Sequence, residues 1–188
     1  MNMQVLTLNK PNIKDFAKER NELLSKSKSN WNLFLDSDEK LSKPLIQLFS
    51  KSDNESYYIY RKNYFLGKYV GTDKIIRLVK KDTGKWIRAI HEVWIPKNLN
   101  KVGVIKDSVI VHNTATSLST YIDKMNNYSN IHPVENWKEG KKATLFKIIF
   151  FPIAKFVITL IKSKNIVFSI MQSLHSYLSW TKLYLQQY

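Results

Sequence analysis

The sequence predicts an α/β fold, a sheet fed by helices and followed by two amphipathic helices. Three observations predict it. A charged helical segment leads into a short apolar run that ends in acids. The middle of the chain is made of short aromatic and β-branched runs, and the last quarter is apolar at helical spacing. At 188 residues there is room for one domain with a sizeable core, or for one domain and a short appendage. Apolar residues at 44% and aromatics at 13% exclude a disordered chain in spite of a formal net charge of +15. The absence of cysteine excludes a disulfide framework and Cys-based zinc sites.

Residues 15–28, DFAKERNELLSKSK, place Phe16, Leu23 and Leu24 on one side of a charged segment, which predicts a surface helix. Asn30 to Leu35, NWNLFL, then reads as a short buried strand. It runs directly into Asp36, Asp38 and Glu39. After these acids KLSKPLIQLF is apolar at helical spacing, which predicts a second helix with Asp38 as its N-cap. Between 56 and 112 the runs SYYIYRKNYFLG, DKIIRLVKK, KWIRAIHEVWI and KVGVIKDSVIVH, punctuated by Gly or Asn, predict several strands. Residues 116–129 carry Leu118, Tyr121, Ile122, Met125 and Tyr128 at helical offsets.

From 143 the composition changes. In ATLFKIIFFPIAKFVITLIK the polar residues Thr144, Lys147, Lys155, Thr159 and Lys162 fall in one narrow arc of a helical wheel. Lys147 and Lys155 interrupt the run of about 18 apolar residues that a spanning helix requires. The pattern predicts a helix lying in the headgroup layer, its lysines on anionic phosphates. A second segment, IVFSIMQSLHSYLSWTKLYL, lines up Val167, Ile170, Met171, Leu174, Tyr177 and Leu178 along one face. Residues 143–188 are therefore expected to associate with an anionic membrane surface. MNMQVLTLNKPN has no apolar core of signal-peptide length, so the expected setting is cytoplasmic, peripheral to the inner membrane.

Acids at the end of a buried strand sit where open α/β sheets bind ligands. Asp36 and Asp38, two residues apart, could reach one hard divalent cation whose other positions are filled by water and phosphate. Capping alone also explains Asp38. The alternatives narrow with the rest of the chain: Asp15-Phe16-Ala17 with Arg20-Asn21 precede the strand, and Leu33-Phe34-Leu35-Asp36-Ser37-Asp38-Glu39 form its end. Downstream come Arg61-Lys62-Asn63-Tyr64-Phe65-Leu66-Gly67-Lys68, Arg77-Leu78, Trp86, His91-Glu92, Val102-Gly103 and His112. In this order and spacing the chain resembles glycosyltransferase family 2, the inverting GT-A fold enzymes, in its branch acting on lipopolysaccharide core and related surface glycans.

The resemblance implies a nucleotide-sugar donor, a glycan or lipid-linked acceptor, and Mg²⁺ or Mn²⁺ held by Asp36 and Asp38, with His112 approaching the metal. It implies that Arg20 and Asn21 lie on the nucleotide side of the pocket. The base that an inverting transfer needs would be Glu92, with Asp73 the second candidate and His91 assisting. Residues 1–135 would be the C-terminal part of a GT-A domain lacking its first donor-binding units, roughly 60 or more residues. An N-terminally shortened chain is thus expected, with a separate N-terminal half as a partner and a hydrophobic edge left open on the strand of Leu33 to Leu35. The rival reading is a non-catalytic basic protein that binds a membrane surface or nucleic acid. The acidic turn argues against nucleic acid, since three carboxylates repel phosphates.

Overall fold

The computed structural model describes residues 3–8, 13–45 and 53–187. It is a mixed α/β structure that divides into two compact units, Met1–Asn63 with Thr72–Asn113, and Tyr64–Gly71 with Thr114–Tyr188.

The first unit carries most of a six-stranded sheet. Its elements are β1 (Met3–Leu6), α1 (Phe16–Lys26), β2 (Trp31–Phe34), β3 (Glu39–Leu41), β4 (Ser56–Phe65), β5 (Lys68–Lys80) and β8 (Val102–Ala115), in the spatial order β1-β2-β5-β4-β8-β3. A separate ribbon pairs β6 (Gly84–Ile87) with β7 (Val93–Pro96), antiparallel, with Trp86 opposite Trp94. The tip of the β4–β5 hairpin, which belongs to the second unit, turns through Leu66 and Gly67. Both have positive φ, the two-residue turn whose twist matches paired strands.

The strand WNLF is buried on both faces, and this sets the core. Trp31 and Leu33 pack with Tyr57, Ile59, Leu78, Ile105 and Ile110, while Phe34 packs on the other side with Leu6, Ala17, Leu24, Val79, Trp86 and Trp94. α1 starts at Asp15, whose side chain accepts from the Lys18 N–H, and turns Ala17, Arg20 and Leu24 inward. The period of three to four residues explains the inward stripe. Arginine in the middle of that stripe is the exception.

Two expectations are corrected here. KLSKPLIQLF does not begin as a helix: Glu39–Leu41 is a strand, because Glu39 pairs across to His112 and Leu41 to Ile110, and Asp38 sits in the turn before it. Residues 46–49 of that segment lie outside the described residues. The flank of β2 is not open either, since β1 runs parallel to it, from Met3 opposite Trp31 to Leu6 opposite Phe34.

The second unit holds α2 (Leu118–Lys138), α3 (Leu145–Ser163) and α4 (Ile166–Leu185). α2 runs beyond the predicted end and continues through Pro133, which is buried. Ser117, Thr144 and Asn165 are the N-caps, and Lys164 ends α3 in the left-handed conformation. Phe65 packs against Tyr121 and Phe168 at ring distances of 5.0 and 5.2 Å. No helix among the described residues is long and apolar enough to cross a membrane.

Candidate functional site

The chain has 26 lysines and only four arginines, Arg20, Arg61, Arg77 and Arg88. Three of the four meet around the end of β2. Arg20 lies on the inward face of α1, stacked over the rings of Phe34 and Trp86 at 5.4 and 5.0 Å. Arg61 comes from β4 and Arg77 from β5. The planar guanidinium offers several fixed donors, which a buried set of carboxylates requires and a lysine cannot provide.

Asp36, just past the end of β2, receives one guanidinium on each oxygen: Arg20 Nη2 on Oδ1 at 2.6 Å and Arg77 Nη2 on Oδ2 at 2.8 Å. Glu39 is buried and joins the two halves of the cluster. Its Oε1 accepts from Arg61 Nη1 at 2.9 Å and Arg77 Nη2 at 3.1 Å, while its Oε2 accepts from the Asp36 backbone N–H. Arg61 forks onto Asp73, Nε at 3.0 Å and Nη2 at 2.6 Å, and the Asn63 amide adds a third bond at 3.2 Å. Glu92 reaches in from the loop before β7. Its Oε1 accepts from Arg20 Nε at 2.9 Å and lies 3.5 Å from Arg77 Nη1, whereas its Oε2 takes part in neither contact. Three guanidinium groups thus face four carboxylates.

Burial pushes the Asp36 carboxyl up, but Arg77 and Arg20 outweigh it and hold the group below its usual value. The same opposition acts on Asp73, where burial is overcome by the hydrogen bonds and charge of Arg61. Burial alone would lower Arg77, and the carboxylates of Asp36, Glu39 and Glu92 raise it instead. All three groups are therefore held in their charged forms.

His112, on β8 opposite Glu39, completes one side. The Asn63 amide is oriented by its bond to Asp73, so its oxygen accepts from His112 Nδ1 at 2.8 Å. In the neutral ring this leaves the Nε2 lone pair turned toward Asp38 Oδ2 at 3.6 Å. Two acceptors facing each other are reconciled by a proton or by a cation, and that is an arrangement a hard divalent ion fits. Asp36 fits one less well, because each of its oxygens already serves an arginine. Among the described residues no three His, Asp or Glu side chains form a closed metal cage.

The structure therefore brings Arg20, Asp36, Glu92, Asp73, Asp38 and His112 into one neighbourhood. His91, next to Glu92, has a left-handed backbone (φ 51°) and an exposed side chain. Asn21 is employed elsewhere: its amide donates to the Trp86 carbonyl and accepts from the Trp86 N–H, both at 2.9 Å, clamping α1 to β6. Gly71, Thr72 and Asp73 lie within β5 rather than in a turn.

No protein-family model matches the chain. One curated relative does. A protein of Rhizobium meliloti (strain 1021) named lipopolysaccharide core biosynthesis glycosyltransferase LpsC is 23% identical over 149 residues. The match covers 73% of this chain and 54% of that protein, so the chain spans about half the length of the relative.

Sequence reasoning missed Glu39, Arg61 and Arg77 as members of the site. By sequence Glu39 is one of three acids, and nothing local marks it as the hub. A signal for the arginines was present: in a lysine-rich chain the few arginines stand where a fork is needed.

Proposed function

We propose that this chain is a glycosyltransferase of the family 2 type with GT-A architecture. It moves a sugar from a nucleotide-sugar donor to a surface-glycan or lipid-linked acceptor at the inner membrane surface. The similarity to the Rhizobium protein and the mixed α/β sheet with acids at a strand end support the reading. The observation that carries it is Arg20, which grips Asp36 with one nitrogen while also holding Glu92. Groups assigned to the donor and to the base thus share one buried guanidinium, which holds them within reach of one pair of substrates.

Inversion takes one base, which removes the acceptor hydroxyl proton as the oxygen attacks the anomeric carbon in line. Glu92 suits the role because Oε1 is anchored by Arg20 and approached by Arg77, so that Oε2 is the oxygen able to receive the proton. Asp73 suits it less, with both oxygens on Arg61 and its carboxyl held low. His91 adjusts the loop that presents Glu92. Mg²⁺ or Mn²⁺ would be held by Asp38 and His112 with Asp36 behind them, and when bound it supplies neutralisation of a diphosphate leaving group. Arg20 contributes positive charge on the same side, and Asn21 keeps its helix in place.

Calorimetric titration of the folded chain with UDP-, GDP- and ADP-linked sugars in the presence of Mn²⁺ tests the reading. Saturable binding of one donor is expected, weakened about tenfold or more by Asp38→Asn. A folded wild-type chain that binds none of them overturns it.

A further inference from the structure

The two C-terminal helices are packed inside out. α3 buries Pro152 and Thr159, and α4 buries Ser169, Ser179 and Leu183. Thr159 was expected on an outward polar stripe with the lysines; it faces inward. Ser173 donates to the Pro152 carbonyl at 2.9 Å, one of the close approaches that small side chains permit between α3 and α4. The large apolar residues point the other way: Phe146, Ile149, Phe150, Ile153, Val157 and Ile161 of α3 are each about half exposed or more, Ile161 at 71%. α4 adds Ile166, Val167, Ile170 and Tyr177. Exposed apolar area on this scale marks an interaction surface.

Charge restricts what can cover it. From residue 141 to the end there are seven lysines, no arginine and no acid. Lys155 and Lys162 stand exposed beside the apolar face. Between the helices runs a groove of about 400 Å³ lined by Ile148, Ile149, Pro152, Phe156, Ile170 and Leu174, with Ser173 and Tyr177. It is a narrow apolar trough in a cationic setting, and its two chemistries match the two parts of an acidic lipid. A protein partner would need an apolar patch ringed by acids. The same face of a second copy offers only more lysine.

We propose that the α3–α4 face docks on an anionic bilayer and that the groove seats one hydrocarbon chain of a lipid drawn from it. This goes beyond the sugar-transfer reading and does not rest on it. The apolar side chains enter the acyl boundary and the lysines reach back to the phosphates, the arrangement of a helix that lies on a membrane.

The full chain, sedimented with vesicles of phosphatidylcholine with and without phosphatidylglycerol, is expected to follow only the anionic vesicles and to be released by high salt. Two exposed positions separate the face from the groove. Ile161→Asp is expected to lower vesicle binding about tenfold while leaving unchanged the binding of monomeric lysophosphatidylglycerol below its micelle concentration. Leu174→Trp, which fills the groove, is expected to do the reverse. Equal binding to neutral vesicles, a stable dimer that buries the face, or wild-type lysolipid binding by Leu174→Trp overturns the proposal.

Discussion

Arg20 and Arg77 are buried, and Arg61 half-buried, against carboxylates in the first compact unit, whereas the lysines beyond Gly140 in the second, apart from Lys141 on Glu139, stand among neutral groups and exposed hydrophobic side chains. Positive charge is used in two ways. In the first unit Arg20 and Arg77 are desolvated and must be answered by acids, so removing one partner leaves a buried charge behind. In the second a lysine keeps its ammonium near water and lends its stem to the apolar surface, so its loss changes partners more than folding. The difference teaches where mutations should break structure and where they should break binding.

The largest effect is expected at Arg77. Arg77→Met leaves Asp36 and Glu92 sharing Arg20 alone and Glu39 with Arg61 alone, so that buried carboxylates outnumber their guanidinium partners, and a loss of about 3–5 kcal/mol in urea-induced unfolding is expected. Arg77→Lys restores the charge but not the fork and should recover little of it. A loss below about 1 kcal/mol would mean that the cluster is not desolvated, and the contrast between the units would fail.

Acid sharpens the same contrast. Asp36 and Asp73 have folded pKa values depressed below the ordinary 3.8, so their stabilisation is present above about pH 3.8 and lost as pH falls through the lower folded values. The stability gap between wild type and Asp36→Asn should therefore be constant near neutrality and shrink below that point. A gap that persists in strong acid contradicts the ion pairing.

Lys182 is the second unit's test. It donates to Ser129 Oγ at 2.7 Å and to the side-chain oxygens of Asn130 and Asn126 at 2.6 and 3.0 Å, all uncharged, and burial pulls its pKa down. Lys182→Met should cost only about 1 kcal/mol in the same unfolding experiment, the scale of ordinary hydrogen bonds. Smallest of all is Lys26, exposed and paired with Glu22 one turn away on α1; Lys26→Ala should change stability by about 0.3–0.5 kcal/mol.

Much of the fold was legible because it is periodic. α1, β2, the strands between 56 and 112, and the helices α3 and α4 each follow from local spacing of apolar residues. β3 was not, since KLSKPLIQLF has helical spacing and only the distant pairing of Glu39 with His112 makes a strand of it. Arg20, Asp36 and Glu92 could be picked out as candidates, and Arg20 joins the two acids directly, yet the bonds that extend the cluster come through Arg77 and Glu39, whose roles depend on strands that meet only in the folded sheet. Asn21 shows the opposite case. Its neighbour Arg20 belongs to the cluster, but one residue on, about 100° around the helix, the amide faces the Trp86 backbone. The inward turn of Thr159 was also hidden, because a helical wheel gives the face of a residue and not which face is covered.

The most direct test of the account is sugar transfer by the wild-type chain and by Glu92→Gln, run in parallel with labelled nucleotide sugars and a membrane extract as the source of acceptors. The account expects label to enter the glycan or lipid fraction with wild type and to fall by about 10²–10⁴-fold with Glu92→Gln, whose fold remains intact by circular dichroism. Equal transfer by the two proteins would contradict it, and the cluster of three arginines would then be a structural knot rather than a reaction site.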